Sequence, residues 1–400
     1  MRRIYFFVCI IVLCCINSAQ AHLPCPVNAR GVLQCDAEVK SSYKKSVSLH
    51  FDVNSREESY AARMLTKSLQ ERGYVINANS GDYSIKFFID KRGYDAEAFA
   101  IIPEGNVIKI IGGDYRGLIY GALSLSEDLR NEILLDNAVA RSEKPKLMLR
   151  AVKYDLPWDT YRHSEALNLH DETCRDPKYW EAFLDMMAEN RLNALSLWNL
   201  HPYPFMIIPK NYPEASPFTK EEFKEWQKLF QSIIGMAAER AIETYLIPFN
   251  IFVTPEFSVA HNVAMDNLDH HFYVRGETAQ IVKDYTRECV TQVLEEYPDL
   301  TGFGLTLGEG MAGMTPQERE AWMTETIIEG MRRANRPSKL VHRVPFSSTT
   351  ESLGNTSVET ERITRASIER EADMGFTEGP IFTDFKFNWS HSLSTPKLIK

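Results

Sequence analysis

From Leu147 onward, short apolar runs alternate with longer stretches whose apolar residues recur at helical spacing. No other feature of the chain constrains its fold as tightly. Leu147–Leu156, Ala194–Trp198, Thr244–Phe252, Gly302–Leu307, Leu340–Pro345 and Ile381–Phe385 read as strands. Between them, Tyr179–Asn190, Lys220–Glu239, Glu277–Glu296, Pro316–Ala334 and Val358–Asp373 read as helices. In the second of these, Phe223, Trp226, Leu229, Phe230 and Ile233 share one face. Strands alternating with helices imply a parallel sheet. Repeated strand–helix steps without a dinucleotide motif favour a barrel over an open sheet. A closed barrel of this kind takes eight strands and about 250 residues. Here the last strand is followed only by Lys386–Lys400. The sequence therefore predicts a barrel that it does not finish, as in a fragment or an early-terminated gene product.

Upstream the pattern differs. Residues 22–45 look irregular, with Pro24, Pro26 and Gly31. Val47–Val53 alternates like a strand, and Ser55 is placed to cap a helix that opens with Glu57 and Glu58 and stops at Gly73. Tyr83–Ile89, Ala98–Ile102 and Val107–Gly112 read as further strands, with Pro103, Gly105 and Asn106 turning between the last two. The segment Gly112-Gly113-Asp114-Tyr115-Arg116-Gly117-Leu118-Ile119-Tyr120-Gly121-Ala122-Leu123 then enters a helix ending near Leu134. Its glycines do not spell a phosphate loop, because no Gly-Lys-Ser/Thr follows. They read as a strand-to-helix turn with close helix–sheet packing. The fold class predicted is α/β: a small α+β N-terminal domain (46–140), a polar linker Arg141–Lys146, and an incomplete (β/α)8 TIM-type barrel (147–400).

The first residues describe export. Arg2 and Arg3 precede an apolar run from Ile4 to Ile16, and Ala19-Gln20-Ala21 offers a small-x-small cleavage site. The run falls short of the roughly 20 residues that span a bilayer as a helix, and no later segment reads as apolar enough to cross a membrane. The mature protein is thus expected from His22, secreted or periplasmic, with no stable membrane span. Cleavage leaves Cys25, Cys35, Cys174 and Cys289. In an oxidising compartment Cys25 and Cys35 are candidates for a disulfide; the alternative is four free or buried thiols. The formal charge of -9 argues against nucleic acid, which calls for a basic face. No Cys or His spacing matches a zinc site, and nothing in the sequence requires a metal or other cofactor. Nothing in it specifies an oligomeric state.

In barrels of this kind chemistry takes place where strands end and loops begin. Those positions carry Asp155, Pro157, Trp158 and Tyr161; then Trp198, Asn199, His201 and Tyr203; then Asn250, Glu256 and Phe257; then Gly308-Glu309-Gly310-Met311; then Arg343 and Ser347; then Asp384, Lys386, Asn388, Trp389 and His391. Aromatic faces stack on pyranose rings, and amides, imidazoles and carboxylates bind hydroxyls, so the mixture suits a carbohydrate. Glycoside hydrolysis needs one carboxylic acid and one carboxylate base or nucleophile. Glu309, directly after an apolar strand and between glycines, is the candidate acid; burial among aromatic rings would raise its pKa usefully. Asp384 is the candidate second carboxylate, with Glu256 in reserve. The candidate substrate-binding residues are Lys153, Trp158, Trp198, Asn199, His201, Asn250, Glu256, Arg343, Lys386, Asn388, Trp389 and His391. Lys153, Arg343 and Lys386 suit a carboxylate on the sugar, unless each is paired to a neighbouring acid.

The Gly112–Leu123 segment resembles the end of the small α/β domain that precedes the barrel in α-glucuronidases and β-hexosaminidases. Leu149-Arg150-Ala151-Val152-Lys153-Tyr154-Asp155 looks like their first barrel strand, and Tyr179 to Trp198 is similar to their first helix and second strand. The nearest likeness is to α-glucuronidase-like hydrolases of exported polysaccharide-utilisation systems, over residues 47–400. That resemblance implies inverting hydrolysis of a uronic-acid-bearing polysaccharide or oligosaccharide, with a Glu acid after the fourth strand, matched by Glu309, and an acidic base later in the barrel, matched in order by Asp384. Hexosaminidases carry Asp-Glu after the fourth strand, and Gly308 replaces that Asp here, which argues against a substrate-assisted N-acetyl mechanism. A β-hexosaminidase-type glycosidase and a non-catalytic carbohydrate-binding truncated homologue are the alternatives.

Overall fold

The computed structural model describes residues 45–77, 80–160, 164–265, 275–308, 310–343 and 358–384. The export segment, Cys25 and Cys35 lie outside these residues. The chain begins with β1 (Ser46–His50) and α1 (Arg56–Glu71). Ser55 caps this helix by accepting from the Glu58 amide, and Glu57 and Glu58 complement the positive end of its dipole. Next come β2 (Val75–Ile76), β3 (Tyr83–Ile89), β4 (Phe99–Glu104), β5 (Val107–Gly112), α2 (Tyr115–Arg130) and β6 (Arg141–Glu143). These strands form one sheet in the order β2-β1-β3-β5-β4-β6, with β4 antiparallel to β5 and β6. The start of the polar stretch expected to be a linker is thus the edge strand β6. The glycine-rich segment packs as the sequence implies: a Cβ on Gly117 would fall 2.2 Å from the Ala98 carbonyl oxygen, so α2 can approach β4 only through a residue without one.

The second half contains β7 (Ala151–Asp155), α3 (Glu165–Arg175), α4 (Pro177–Glu189), β8 (Ala194–Asn199), α5 (Tyr203–Met206), α6 (Lys220–Glu239), β9 (Glu243–Pro248) and α7 (Pro255–His261). It continues with α8 (Gln280–Glu296), β10 (Gly302–Leu305), α9 (Pro316–Met323), α10 (Glu329–Arg333), β11 (Lys339–Arg343), α11 (Val358–Asp373) and β12 (Phe382–Asp384). The stretch expected as one helix over Pro316–Ala334 is interrupted by a π-helical turn at Thr324–Ile328. The six strands run parallel in the order β12-β11-β10-β9-β8-β7. The sheet curls until residues of its first and last strands, Lys153 and Asp384, line one cavity. This is an incomplete TIM-type barrel beside a small α+β unit. Among the described strands, β7 and β12 each pair on one side only.

Strand alternation sorts the side chains. Outward ones such as Tyr154, Leu195, Leu197, Leu246, Phe303 and Leu340 join the main core under the helices. There the Tyr154 hydroxyl meets Tyr179 Oη at 2.8 Å, Cys174 Sγ at 3.0 Å and His170 Nε2 at 3.1 Å. Inward ones form a second cluster that includes Ala194, Trp198, Tyr245 and Ile247. Polar contacts tie the small unit to the base of the barrel. Glu97 accepts from Arg116 at 2.6 Å, from Arg150 at 2.5 Å and from Asn193 at 2.8 Å. Arg116 also reaches Glu243 at 3.3 Å, and Glu243 accepts from Lys339 at 2.7 Å and Tyr245 at 2.6 Å. Cys174 and Cys289 are buried free thiols.

Candidate active site

The inner face of the curled sheet encloses a cavity of about 380 Å³. Its lower wall is Leu149, Ala151, Tyr245, Ile247, Val341 and Phe382; toward the carboxyl ends of the strands the lining becomes Lys153, Trp198, Arg343 and Asp384. Lys153, Arg343 and Asp384 follow Ala151, Val341 and Phe382 at a spacing of two, and Trp198 follows Ser196, so one strand supplies both floor and rim.

At that end two cations share one ring. Lys153 Nζ lies 4.2 Å from the centroid of Trp198, and Arg343 Cζ lies 5.2 Å from it. The ring face attracts both through its quadrupole. Each cation also has an acid close by: Lys153 Nζ is 3.1 Å from Asp155 Oδ1, and Arg343 Nε is 3.9 Å from Asp384 Oδ2. Lys153 is exposed, Asp384 is 43% exposed, and Arg343 and Trp198 are buried beneath them. Such a rim gathers two cations and two carboxylates around a buried indole.

Several other candidates occupy different surroundings. Trp158 packs on Trp226, Phe205 and Phe230, in the layer between barrel and helices. Its neighbours make it a core residue and take its ring away from the cavity. His201 is buried, and its Nε2 meets Tyr285 Oη of α8 at 2.9 Å. Asn199 donates from Nδ2 to the Trp158 carbonyl at 2.6 Å and accepts from the His201 amide at 3.2 Å, so it braces the loop after β8. Asn250 plays the same part after β9: its Nδ2 donates to the Thr306 carbonyl, and Thr306 Oγ1 donates to the Pro248 carbonyl at 2.7 Å. Glu256 is exposed in the first turn of α7.

Glu309 lies outside the described residues, flanked by Gly308 and Gly310. The Met311 amide donates to the Gly308 carbonyl at 3.2 Å, and the Gly276 amide donates to the Gly310 carbonyl at 2.9 Å. Gly310 has φ 72°, and a Cβ there would fall 2.2 Å from the Asn250 carbonyl oxygen. The turn after β10 therefore needs glycine at this position. Tyr161, Ser347, Lys386, Asn388, Trp389 and His391 also lie outside the described residues. Sequence reasoning missed one polar cluster altogether, Glu320, His342 and Glu371, on the outer side of β11. Its three residues are scattered through the sequence, and the available signal was the alternation that turns His342 outward when Arg343 turns inward.

No helix among the described residues is long and apolar enough to cross a membrane. No protein-family model matches the sequence, and no curated protein is significantly similar to it. Solved structures share its fold. A GH138 enzyme targeting pectin rhamnogalacturonan II superposes with a TM-score of 0.67 at 24% identity, over 81% of this chain and 46% of its own. A variant of Streptomyces plicatus β-hexosaminidase in complex with GlcNAc gives 0.53 at 13% identity, over 82% and 68%. A glycoside hydrolase family 20 β-N-acetylglucosaminidase gives 0.51 at 14% identity, over 81% and 70%. The chain thus spans about half the length of the first of these, and its two-part architecture is one that glycoside hydrolases use.

Proposed function

We propose that the chain belongs to an exported glycoside hydrolase acting on a uronic-acid-bearing oligosaccharide or polysaccharide, in the manner of an α-glucuronidase. The observation that carries this reading is the pair of cations on Trp198. Inward barrel charges commonly pair with neighbouring acids, as Lys153 and Arg343 do here. What goes beyond such pairing is that both lie against one indole ring, toward the carboxyl ends of the strands. An aromatic face suits a sugar ring, and an Arg fork beside a Lys suits its carboxylate. The fold shared with carbohydrate-cleaving enzymes supports the same class.

In this reading Glu309 protonates the leaving oxygen. Its neighbour Gly310 packs closely on the Asn250 carbonyl. Asp384 activates water from the far side of the ring, and Asp155 and Arg343 hold charge close by. Export through the Arg2–Ala21 segment brings the enzyme to polysaccharide outside the cytoplasm. Turnover of aryl uronides, with the matching neutral and N-acetylamino glycosides as comparison, tests the proposal. It requires cleavage of the uronide in preference to both.

The hexosaminidase reading draws on the neighbouring structures, but by the sequence resemblance Gly308 replaces the Asp that hexosaminidases carry before their Glu. Preferential cleavage of the N-acetylamino glycoside would favour it. Binding of uronides without turnover would favour a carbohydrate-binding homologue.

A further inference from the structure

Strand β11 sends Arg343 into the cavity and His342 to the opposite side, where the imidazole is buried together with Glu320 of α9 and Glu371 of α11. His342 Nδ1 lies 2.9 Å from Glu371 Oε2, and Nε2 lies 3.2 Å from Glu320 Oε2. The two carboxylates thus stand on opposite sides of the ring. Oxygen acceptors against both nitrogens call for two N–H groups, and only the protonated ring carries two. Burial works against that charge, but Glu320 and Glu371 outweigh it and raise the pKa to about 10. The ring's neighbours in register, Leu305 of β10 and Thr383 of β12, do not titrate, so among the described residues these two carboxylates are the charges that face it. Thr364 Oγ1 of α11 donates to Glu320 Oε1 of α9 at 2.8 Å and closes the link between the two helices.

This clamp sits where β11 is least restrained by its neighbours. Strand β10 ends at Leu305, opposite His342. Arg343 is one residue further on, and among the described strands it pairs only with β12, through that strand's last residue, Asp384. The backbone ladder therefore holds Arg343 from one side. We propose that His342 is a positioning residue: as an imidazolium held between Glu320 and Glu371, it pins the carboxyl end of β11 and seats Arg343 beside Trp198 and Asp384. The inference rests on the reading of Arg343 as the group that receives a sugar carboxylate. A guanidinium meets a carboxylate through a planar fork, so a shift of about 1 Å at the strand end misplaces both bonds at once. A neutral sugar makes no such demand, and the clamp therefore bears on one class of ligand. A buried ion triad adds little net stability over apolar packing; what it supplies here is one fixed arrangement of strand and helices.

The test uses the full-length chain and two free sugars that undergo no turnover, D-glucuronate and D-glucose, titrated calorimetrically. The parent should bind glucuronate the more tightly. His342→Gln should weaken glucuronate about tenfold, the equivalent of about one charged hydrogen bond, and leave glucose unchanged. Added to Arg343→Gln, it should cost no further affinity, because it acts through that residue. Unchanged glucuronate affinity in a His342→Gln protein that melts cooperatively would overturn the inference, as would an equal loss for both sugars. A parent with no preference for glucuronate would instead strike the carboxylate reading, and with it the role assigned to His342. The ring itself is read by 15N NMR of the histidine-labelled parent. Both ring nitrogens of His342 should be protonated at about pH 8, above the ordinary histidine value of about 6.5. A neutral His342 at that pH would overturn the clamp whether or not His342→Gln folds.

Discussion

Lys153 Nζ stands 4.2 Å above the Trp198 ring, with Arg343 Cζ 5.2 Å from the same centroid. In the proposed function, these two cations beside one aromatic ring recognise the carboxylate of an acidic sugar. Charged hydrogen bonds contribute about 1.5–3 kcal/mol each. Arg343→Gln should therefore raise KM for a uronide about tenfold or more and leave KM for the neutral glycoside nearly unchanged. Steady-state kinetics on the two substrates check this; an equal rise for both would remove Arg343 from carboxylate recognition.

Trp158 was expected to face the sugar, but it packs on Trp226, Phe205 and Phe230. Trp158→Ala should cost about 3–5 kcal/mol of stability through the cavity it leaves. Ligand affinity of the fraction that remains folded should not change. Denaturant unfolding and a binding isotherm measured on the same preparation separate the two effects.

Gly310 combines a positive φ of 72° with a Cβ position 2.2 Å from the Asn250 carbonyl oxygen. Gly310→Ala should destabilise the protein by roughly 1–3 kcal/mol through the strained backbone. It should also lower kcat, because the turn carrying Glu309 must shift. Gly313→Ala serves as the control: its φ is also positive, at 75°, but a Cβ there meets nothing within 4 Å. It should share the backbone cost and spare kcat.

Glu243 ties the base of the barrel to α2. Burial works to raise its pKa, but Lys339, Tyr245 and Arg116 outweigh burial and hold it below the usual carboxylate value. A carboxyl group depressed in the folded state contributes stability above its unfolded pKa, about 4.3, and loses it as pH falls through the folded value. Glu243→Gln should thus cost on the order of 3 kcal/mol at neutral pH. The gap from the parent should narrow below about pH 4 as the parent's own carboxylate takes up a proton. Melting curves across pH 3–8 display the trend.

The sequence was most legible where burial is periodic. Lys220–Glu239 is found with its expected ends because Phe223, Trp226, Leu229, Phe230 and Ile233 mark one face, and Thr219 with Glu222 forms a capping box. Helix α3 escaped notice for the converse reason: Cys174 is its one fully buried residue, so it has no apolar stripe to read. The site was legible only in part. Lys153, Trp198 and Arg343 line one cavity because the alternation of side chains along a strand is fixed by the backbone. Beyond a strand's end the period no longer applies. His201 and Asn250 follow loop paths set by tertiary hydrogen bonds, and Asn199, the last residue of β8, turns to the side opposite Trp198; all three become braces between elements. His342 shows the other limit, because its partners Glu320 and Glu371 come from helices that only the folded chain brings together.

The central claim is acid-catalysed hydrolysis of a uronide with Glu309 as the acid. Its most direct test is kcat of the parent and of Glu309→Gln on a uronic-acid-bearing oligosaccharide, whose leaving alcohol needs a proton. The account predicts a loss of about 10²–10⁴-fold in kcat with binding retained. Turnover by Glu309→Gln equal to that of the parent would contradict it.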